Sequence, residues 1–269
     1  MITLPKNITL TNRSLGYLKR WQKTIDDAPD YESQIKKAKS SWGKSNKTFD
    51  EIKEKLRLMS NSTYRCSYCE DSFADEIEHI YPKDLYPDKT FIWENYLYAC
   101  GPCNGPKNNQ FALIENNDTL KDITRPRNLP PDYIYQKPLT LPTAFINPRT
   151  ETPTDFMELD IIDTFRIIPS LGISPSDEIR ANYTIKVLRL NERAYLVTAR
   201  KNAYDNFKSR LIAFRQQKNN GATSARLNEL IEGIKSIDHQ TVWFEMKRFH
   251  SFVPELRSLF NDVPEALTW

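Results

Sequence analysis

The sequence lacks several features that would each assign it to a class of protein. It has no run of eighteen or more apolar residues, so we expect no membrane-spanning helix. No signal peptide is recognisable at Met1, which favours a soluble, cytoplasmic protein. It has no G-x-x-x-x-G-K-[ST] loop, so any use of ATP would have to come from a partner. The absence of a helix-turn-helix or zinc-finger motif that could recognise a base sequence argues against a restriction or homing enzyme with sequence specificity.

Net charge is small, but it is unevenly distributed. The 269 residues carry a formal net charge of +3. Residues 1–60 have 13 Lys and Arg against 7 Asp and Glu, residues 179–269 have 15 against 9, and residues 61–178 have a net charge of −9. Basic flanks of this kind would contact nucleic acid through its phosphates, in a salt-dependent way. Solvated lysines on ordinary helices explain the pattern equally well, so both interpretations stay open.

Cysteine is rare, and all four copies lie in one stretch of the chain. They form two C-x-x-C pairs, Cys66 with Cys69 and Cys100 with Cys103. Each pair presents two thiolates from one tight turn, and two pairs supply the four soft ligands of a tetrahedral structural Zn²⁺ site. Two disulfides are the alternative, but an intracellular chain of this length has no need of them. We therefore predict a structural Zn²⁺ site.

The segment between the cysteine pairs, and the residue after the last cysteine, carry groups suited to phosphodiester hydrolysis. His79 is the only histidine in the first 200 residues, Glu78 precedes it, and Asn95 and Asn104 follow. Hydrolysis needs a base for the attacking water and a cation for the charge that builds on the phosphorus and the leaving oxygen. A neutral imidazole serves as the base, and the oxygens of Glu78 and Asn104 suit Mg²⁺ or Mn²⁺. Taken alone, each of these residues is more often structural.

This order of residues resembles the HNH endonuclease family with the ββα-metal fold, in its zinc-knuckle subgroup. The resemblance implies catalytic roles for His79, Asn95 and Asn104. His79 would be the general base, and Asn95 would fix the loop that aims it. Glu78 and Asn104 would be the ligands of Mg²⁺ or Mn²⁺, although family members often have histidine in place of Asn104. Two lysines near the motif are candidate phosphate contacts or solvated side chains: Lys83 and Lys107.

A wider set of short motifs resembles the PtuB-type HNH proteins of Septu and retron-linked anti-phage systems. The motifs lie at residues 66–70, 77–83, 91–95, 99–104 and 145–148. This resemblance implies a bacterial, cytoplasmic defence nuclease that cleaves DNA and has no contact with a membrane. It also implies a partner, an ABC-type ATPase subunit that is PtuA-like, which would restrain or license cutting.

Two other functions stay open from the sequence. A ββα-metal site grips one strand around the scissile phosphate without reading a 2′ hydroxyl, so structured RNA such as tRNA is an alternative target. A non-catalytic zinc module that binds nucleic acid or protein would need the four cysteines, but not His79, Glu78 and Asn104 together. Cleavage of plasmid DNA in the presence of Mg²⁺ or Mn²⁺ separates this module from an enzyme.

The predicted fold is α+β and mainly helical. A small ββα-metal HNH core with a four-cysteine zinc site would be flanked by helical regions at both ends, because apolar residues recur there at helical spacing. The division that we expect is an N-terminal helical region at 1–60, a zinc-bound nuclease core at 61–112, a proline-rich loop with a small β hairpin at 113–178 and a C-terminal helical region at 179–269.

Individual elements follow from local signals. Four side chains are predicted to cap helices or begin a capping box: Thr11, Asp30, Thr48 and Asn191. The long helix after Asn191 should present Arg193 and Arg200 on its outer side. Proline excludes regular helix from residues 115–155. The β-branched and aromatic residues of 156–168 favour a small hairpin.

Overall fold

The structure is a computed structural model that describes residues 1, 3–43, 46–60, 64–126, 128–130 and 132–269. These residues form an α+β, mainly helical fold, as predicted, with three two-stranded antiparallel sheets among them. Buried apolar side chains from both helical flanks and from the cysteine-containing centre belong to one continuous core. Each helix in the described part of the chain is too short or too polar to cross a bilayer.

Three helices precede the first cysteine pair. They are α1 (Asn12–Asp26), α2 (Tyr31–Ser41) and α3 (Lys47–Met59). Thr11 caps α1 by accepting a hydrogen bond from Ser14 N, and Asp30 caps α2 by accepting one from Ser33 N. Both caps are where the sequence predicts them. The predicted boundary at residue 61 lies outside the described residues.

The capping box predicted at Thr48 is not formed. Asn46 caps α3 instead, because its side-chain oxygen accepts hydrogen bonds from the first backbone N–H groups of the helix, those of Thr48 and Phe49. Glu51, which should have reached back to Thr48, accepts hydrogen bonds from Thr11 N at 2.6 Å and from Thr11 Oγ1 at 2.9 Å. The predicted capping box within α3 is therefore replaced by a contact between two helices, which joins α3 to the start of α1.

A hairpin and a helix form the centre of the fold. Strand β1 (Glu76–His79) pairs antiparallel with strand β2 (Tyr96–Ala99), and α4 (Gly101–Lys107) follows directly. The register places Glu76 opposite Ala99 and His79 opposite Tyr96. Because β2 leads straight into α4, the helix packs back against β1. We call this unit the ββα unit.

Two further hairpins follow the ββα unit. One pairs β3 (Ala112–Ile114) with β4 (Leu120–Asp122), and the other pairs β5 (Met157–Leu159) with β6 (Ile167–Pro169). The second lies in the segment where the sequence predicts a hairpin. The first was not predicted, because strands of three residues give too short a pattern to recognise.

The C-terminal part of the chain is helical. Its helices are α5 (Pro175–Val187), α6 (Ala194–Asn219), α7 (Ser224–Lys235), α8 (Gln240–Phe249) and α9 (Pro254–Asp262). Helix α6 is the long helix that the sequence predicts, and Gly221, at φ +73°, follows its end.

The start of α6 differs from the prediction. Asn191 does not cap the helix: its side chain accepts a hydrogen bond from Ile167 N at 2.9 Å and donates one to Ile167 O at 2.7 Å, which ties this turn to β6. Arg200 is only 3% exposed and donates to Leu190 O at 2.9 Å. Arg193 is half-buried and donates to Leu188 O at 3.0 Å. Both arginines therefore face the protein rather than solvent, and they provide donors to backbone carbonyl groups at this turn.

Candidate active site and metal centre

The four cysteines converge at one end of the ββα unit, as the two C-x-x-C pairs predict. We call them the cysteine cluster: Cys66, Cys69, Cys100 and Cys103. All are buried free thiols whose Sγ atoms lie within 4.8 Å of one another, and Cys69 Sγ is 3.8 Å from Cys100 Sγ. A tetrahedral Zn²⁺ ion with Zn–S distances of about 2.3 Å places its sulfurs about 3.8 Å apart. The donor set and its spacing therefore fit a structural Zn²⁺ ion.

Local backbone geometry positions both cysteine pairs. In the first pair the chain turns tightly, with Glu70 N donating to Cys66 O at 2.9 Å and Glu70 at φ +62°. In the second pair Cys100 lies between β2 and α4, and Cys103 lies in the first turn of α4, with Cys103 N donating to Cys100 O at 3.0 Å. Asn104 is the next residue of α4. An ion on the cysteines would therefore also fix the helix that carries Asn104.

The C-terminal region supports the cysteine cluster. Arg193 Nη2 donates to Cys103 Sγ at 3.2 Å. Burial lowers the pKa of Arg193, but the neighbouring Cys103 sulfur outweighs that effect and holds the pKa above its usual value. Next to the first cysteine pair, Thr241 N donates to Glu70 Oε2 at 2.9 Å. Sequence reasoning missed these contacts, because Arg193 and Thr241 belong to no motif and are distant in the chain.

An open cleft of about 350 Å³ lies beside β1 and α4. Four of the predicted site residues line it: Glu78, His79, Lys83 and Asn104. Trp42 and Glu76 also line this cleft, and neither was predicted to belong to the site. Because side chains alternate along a strand, Glu76 and Glu78 share the face of β1 that meets α4, where Glu76 contacts Asn104 and Glu78 contacts Lys107.

His79 is held in one orientation. Its Nε2 is 2.9 Å from Thr90 O, and since a carbonyl can only accept, Nε2 carries the proton and Nδ1 is the unprotonated nitrogen of the neutral ring. The ring centroid lies 4.1 Å from that of Trp42, and His79 is only 5% exposed. Burial, with a smaller contribution from the charge of Lys83, lowers the pKa of His79 to about 3. The imidazole is therefore neutral at physiological pH.

Asn95 closes the loop that follows His79. Its side chain is buried, accepts a hydrogen bond from Tyr81 N at 2.8 Å, and donates to Tyr81 O at 3.0 Å and to Lys89 O at 2.8 Å. The backbone adds Ile80 N donating to Asn95 O at 3.0 Å. Asn95 therefore does not line the cleft, but it fixes the loop between β1 and β2.

Glu78 and Lys107 form a buried ion pair. Glu78 Oε1 is 2.5 Å from Lys107 Nζ, with Glu78 4% and Lys107 0% exposed. Lys107 Nζ also donates to His79 O at 2.8 Å and lies 5.2 Å from the centroid of the Phe145 ring. Burial raises the pKa of Glu78 and lowers that of Lys107. The predicted phosphate contact is therefore not available to Lys107 in this arrangement, since its ammonium points inward, whereas Lys83 lines the cleft.

Asn104 contacts Glu76, a carboxylate that the sequence analysis did not assign to the site. Its Nδ2 donates to Glu76 Oε2 at 2.6 Å, while Glu78 is held by Lys107. Strand alternation in the sequence places Glu76 on the same face as Glu78, and this signal could have identified Glu76 beforehand. The oxygens of Glu76, Glu78 and Asn104 are the hard donors that Mg²⁺ and Mn²⁺ prefer, so the chemistry of the cleft suits such an ion.

Comparison with known proteins gives a partial similarity. No protein-family profile matches the chain. A segment of 58 residues, 20% of the chain, is 43% identical to Septu protein PtuB of Bacillus thuringiensis. The matched part covers 23% of that protein, so the chain spans less than a quarter of this relative's length. Over about a fifth of its residues, the chain is therefore similar to a Septu protein.

Proposed function

We propose that the chain is a metal-dependent HNH endonuclease that hydrolyses phosphodiester bonds, with DNA as its substrate. The observation that carries this proposal is the state of His79: a neutral imidazole, fixed through Nε2, beside a cleft that also holds carboxylate and amide oxygens. A module that only binds a partner has no need to fix a histidine in one tautomer there. The order of the HNH motif along the chain supports the same assignment.

In the proposed reaction, His79 Nδ1 accepts a proton from the water that attacks phosphorus. General-base assistance of this kind contributes about 10²- to 10⁴-fold to the rate. Glu78 and Asn104 are the predicted ligands of Mg²⁺ or Mn²⁺, and such an ion would stabilise the charge that develops on the phosphoryl and leaving 3′ oxygens. Lys83, at the cleft, would contact a neighbouring phosphate. Asn95 would keep the His79 ring aimed by holding the loop.

The low pKa of His79 has a consequence for the proposed mechanism. A base with a pKa of about 3 is available at pH 7 but weak. A phosphate that enters the cleft brings negative charge close to the ring, which favours the protonated imidazole and raises its pKa. Proton transfer to His79 would therefore be less unfavourable when a phosphate is bound.

We assign the cysteine cluster a structural role. Zinc held by four thiolates has no open position for a substrate, and its binding free energy contributes to folding. Since Cys103 and Asn104 are consecutive, zinc would also keep Asn104 at the cleft. Mutating the cysteines should therefore affect folding before chemistry.

The similarity to Septu protein PtuB supports a place in anti-phage defence. We propose that the chain is the nuclease subunit of a bacterial, cytoplasmic defence complex. The resemblance to PtuB-type proteins implies an ABC-type ATPase of the PtuA-like kind as its partner. Such a partner would supply any dependence on ATP, because the sequence shows no phosphate-binding loop.

The test is cleavage of plasmid DNA, with Mg²⁺ or Mn²⁺, by the wild type and by His79→Ala. We expect the variant to lose about 10²- to 10⁴-fold in rate and to keep its zinc. The fold should persist, because Thr90 O still accepts a hydrogen bond from Tyr96 Oη at 2.8 Å. His250→Ala is the matched control, since His250 lies at the end of α8, and its Nδ1 is 2.7 Å from Lys247 O.

Equal rates for His79→Ala and the wild type would refute the assignment of the base. The same assay with structured RNA in place of plasmid DNA tests the alternative substrate that the sequence left open. Cleavage of RNA without DNA would identify a ribonuclease. Cleavage of neither, by protein that contains zinc, would favour a binding module.

A further inference from the structure

Two glutamates on the same face of β1 have different surroundings. Glu78 is buried and neutralised by Lys107 at 2.5 Å. Glu76 is only partly buried, and its polar contact is with a neutral group, the amide of Asn104, at 2.6 Å. In the part of the chain that the structure describes, no lysine or arginine forms an ion pair with Glu76. Glu76 therefore carries the uncompensated negative charge on this face.

The position of Glu76 is also more open. A second cleft, of about 380 Å³, adjoins the first. Both clefts are lined by Trp42, Glu76, Ile77 and Asn104, whereas Glu78 lines the first alone. The contact between Glu76 and Asn104 therefore lies at the junction of the two clefts, where a nucleic-acid strand passing from one to the other would bring a phosphate.

We propose that Glu76 is a ligand of the divalent cation, shared with Asn104 and additional to the residues of the HNH motif. This proposal rests on the proposed function. Carboxylate and amide oxygens are preferred ligands of Mg²⁺ and Mn²⁺. Asn104 offers an oxygen as well as the nitrogen that now faces Glu76, and turning the amide over exchanges the two atoms. Both side chains then present oxygen to one ion.

Charge gives a second reason. A carboxylate without a cationic partner repels a phosphate that approaches to a few ångströms. A divalent cation on Glu76 reverses the sign of this interaction. Because of Glu76, binding of a phosphodiester at the junction therefore depends on the metal. Glu78 does not have this effect, because Lys107 neutralises its charge.

The test is the affinity of the full chain for Mn²⁺ in the absence of substrate. Isothermal titration calorimetry measures the Kd in the wild type and in Glu76→Gln. We expect the Kd to rise by at least about tenfold, with the zinc content unchanged. Asp75→Asn is the matched control. Asp75 is the adjacent, exposed carboxylate and lines the second cleft, so its loss removes the same charge without a contact to Asn104. Its Kd should stay within about twofold of the wild type.

An unchanged Kd in Glu76→Gln would overturn the proposal, and so would equal losses in Glu76→Gln and Asp75→Asn. A wild type that binds no Mn²⁺ would overturn it as well. If Glu76→Gln weakens Mn²⁺ binding while the wild type cleaves no nucleic acid, the ligand assignment stands and the proposed nuclease function fails.

Discussion

The cysteine cluster and the cleft meet on one short helix, yet they differ in almost every physical property. Cys103 belongs to the first and Asn104 to the second, and these residues are consecutive in α4. The sulfurs are buried and lie within 4.8 Å of one another. The oxygen donors beside the cleft are divided between a buried ion pair at Glu78 and a more open contact at Glu76. The difference separates a site that supports folding from a site that is open to a substrate.

The two sites are held by different sets of contacts. Arg193 donates to Cys103 of the cysteine cluster, and both the Met1 amino group and Thr241 contact Glu70, the residue after Cys69. N-terminal residues hold the loop that orients His79: Gln22 Nε2 donates to Pro87 O at 3.1 Å, and Phe91 N donates to Gln22 Oε1 at 2.8 Å.

The largest effect is expected from breaking the cysteine cluster. Cys66→Ser removes one of four thiolates, and zinc binding is worth about 10 to 16 kcal/mol in small zinc peptides, which exceeds the stability of many domains. We expect loss of zinc and of soluble protein, measured by metal analysis and thermal unfolding. Ser72→Ala, in the same turn, is the control and should melt close to the wild type. Normal melting of Cys66→Ser would count against a structural metal.

A smaller loss of stability is expected when the ion pair beside the cleft is broken. Lys107→Met leaves Glu78 buried without its partner, which should destabilise the fold by about 3 to 5 kcal/mol in denaturant unfolding while zinc is retained. Adding Glu78→Gln removes the stranded charge and should restore much of the loss.

Lys83→Met is the matched control for Lys107→Met, since Lys83 lines the cleft but contributes no buried ion pair among the described residues. Its effect on stability should stay below about 0.5 kcal/mol. Equal losses in the two variants would mean that Lys107 is not the support that we infer.

The smallest effect comes from a group that belongs to neither site. Glu245 is fully buried on α8, and burial raises its pKa to about 7 despite Arg248 nearby. A raised carboxyl pKa stabilises the fold at low pH, and this stability is lost as the pH rises from about 4.5 through 7. Glu245→Gln should be more stable than the wild type by about 3 kcal/mol at pH 8 and match it near pH 4, with cleavage and zinc unchanged. Identical pH profiles of unfolding would contradict this.

The sequence predicts the cysteine cluster well for a physical reason. Each C-x-x-C pair is a local turn that sets the geometry of its two ligands within four residues. The four cysteines therefore converge once these two turns come together. The caps at Thr11 and Asp30 are local in the same sense and are present. The cap at Asn191 failed because a long-range contact with Ile167 competes with the local one.

The cleft was less predictable, because its contacts join residues far apart in the chain. The sequence marks Lys107 as a cation but not as a buried one, since its burial depends on Phe145. Strand alternation places Glu76 on the same face as Glu78, but only the contact with Asn104 shows that Glu76 belongs to the cleft. Trp42 directly follows α2, a helix that the sequence predicts without reference to His79, and only the tertiary fold brings the Trp42 and His79 ring centroids to 4.1 Å.

The most direct test of separate roles for the two sites is one measurement on wild-type protein. Plasmid cleavage and zinc content are followed together while a mild chelator removes loosely bound metal and Mg²⁺ or Mn²⁺ is added back. We predict that cleavage stops and returns with the added ion, while one zinc per chain remains throughout. Cleavage that survives without Mg²⁺ or Mn²⁺, or that returns only when zinc is supplied, would contradict the division between the cysteine cluster and the cleft.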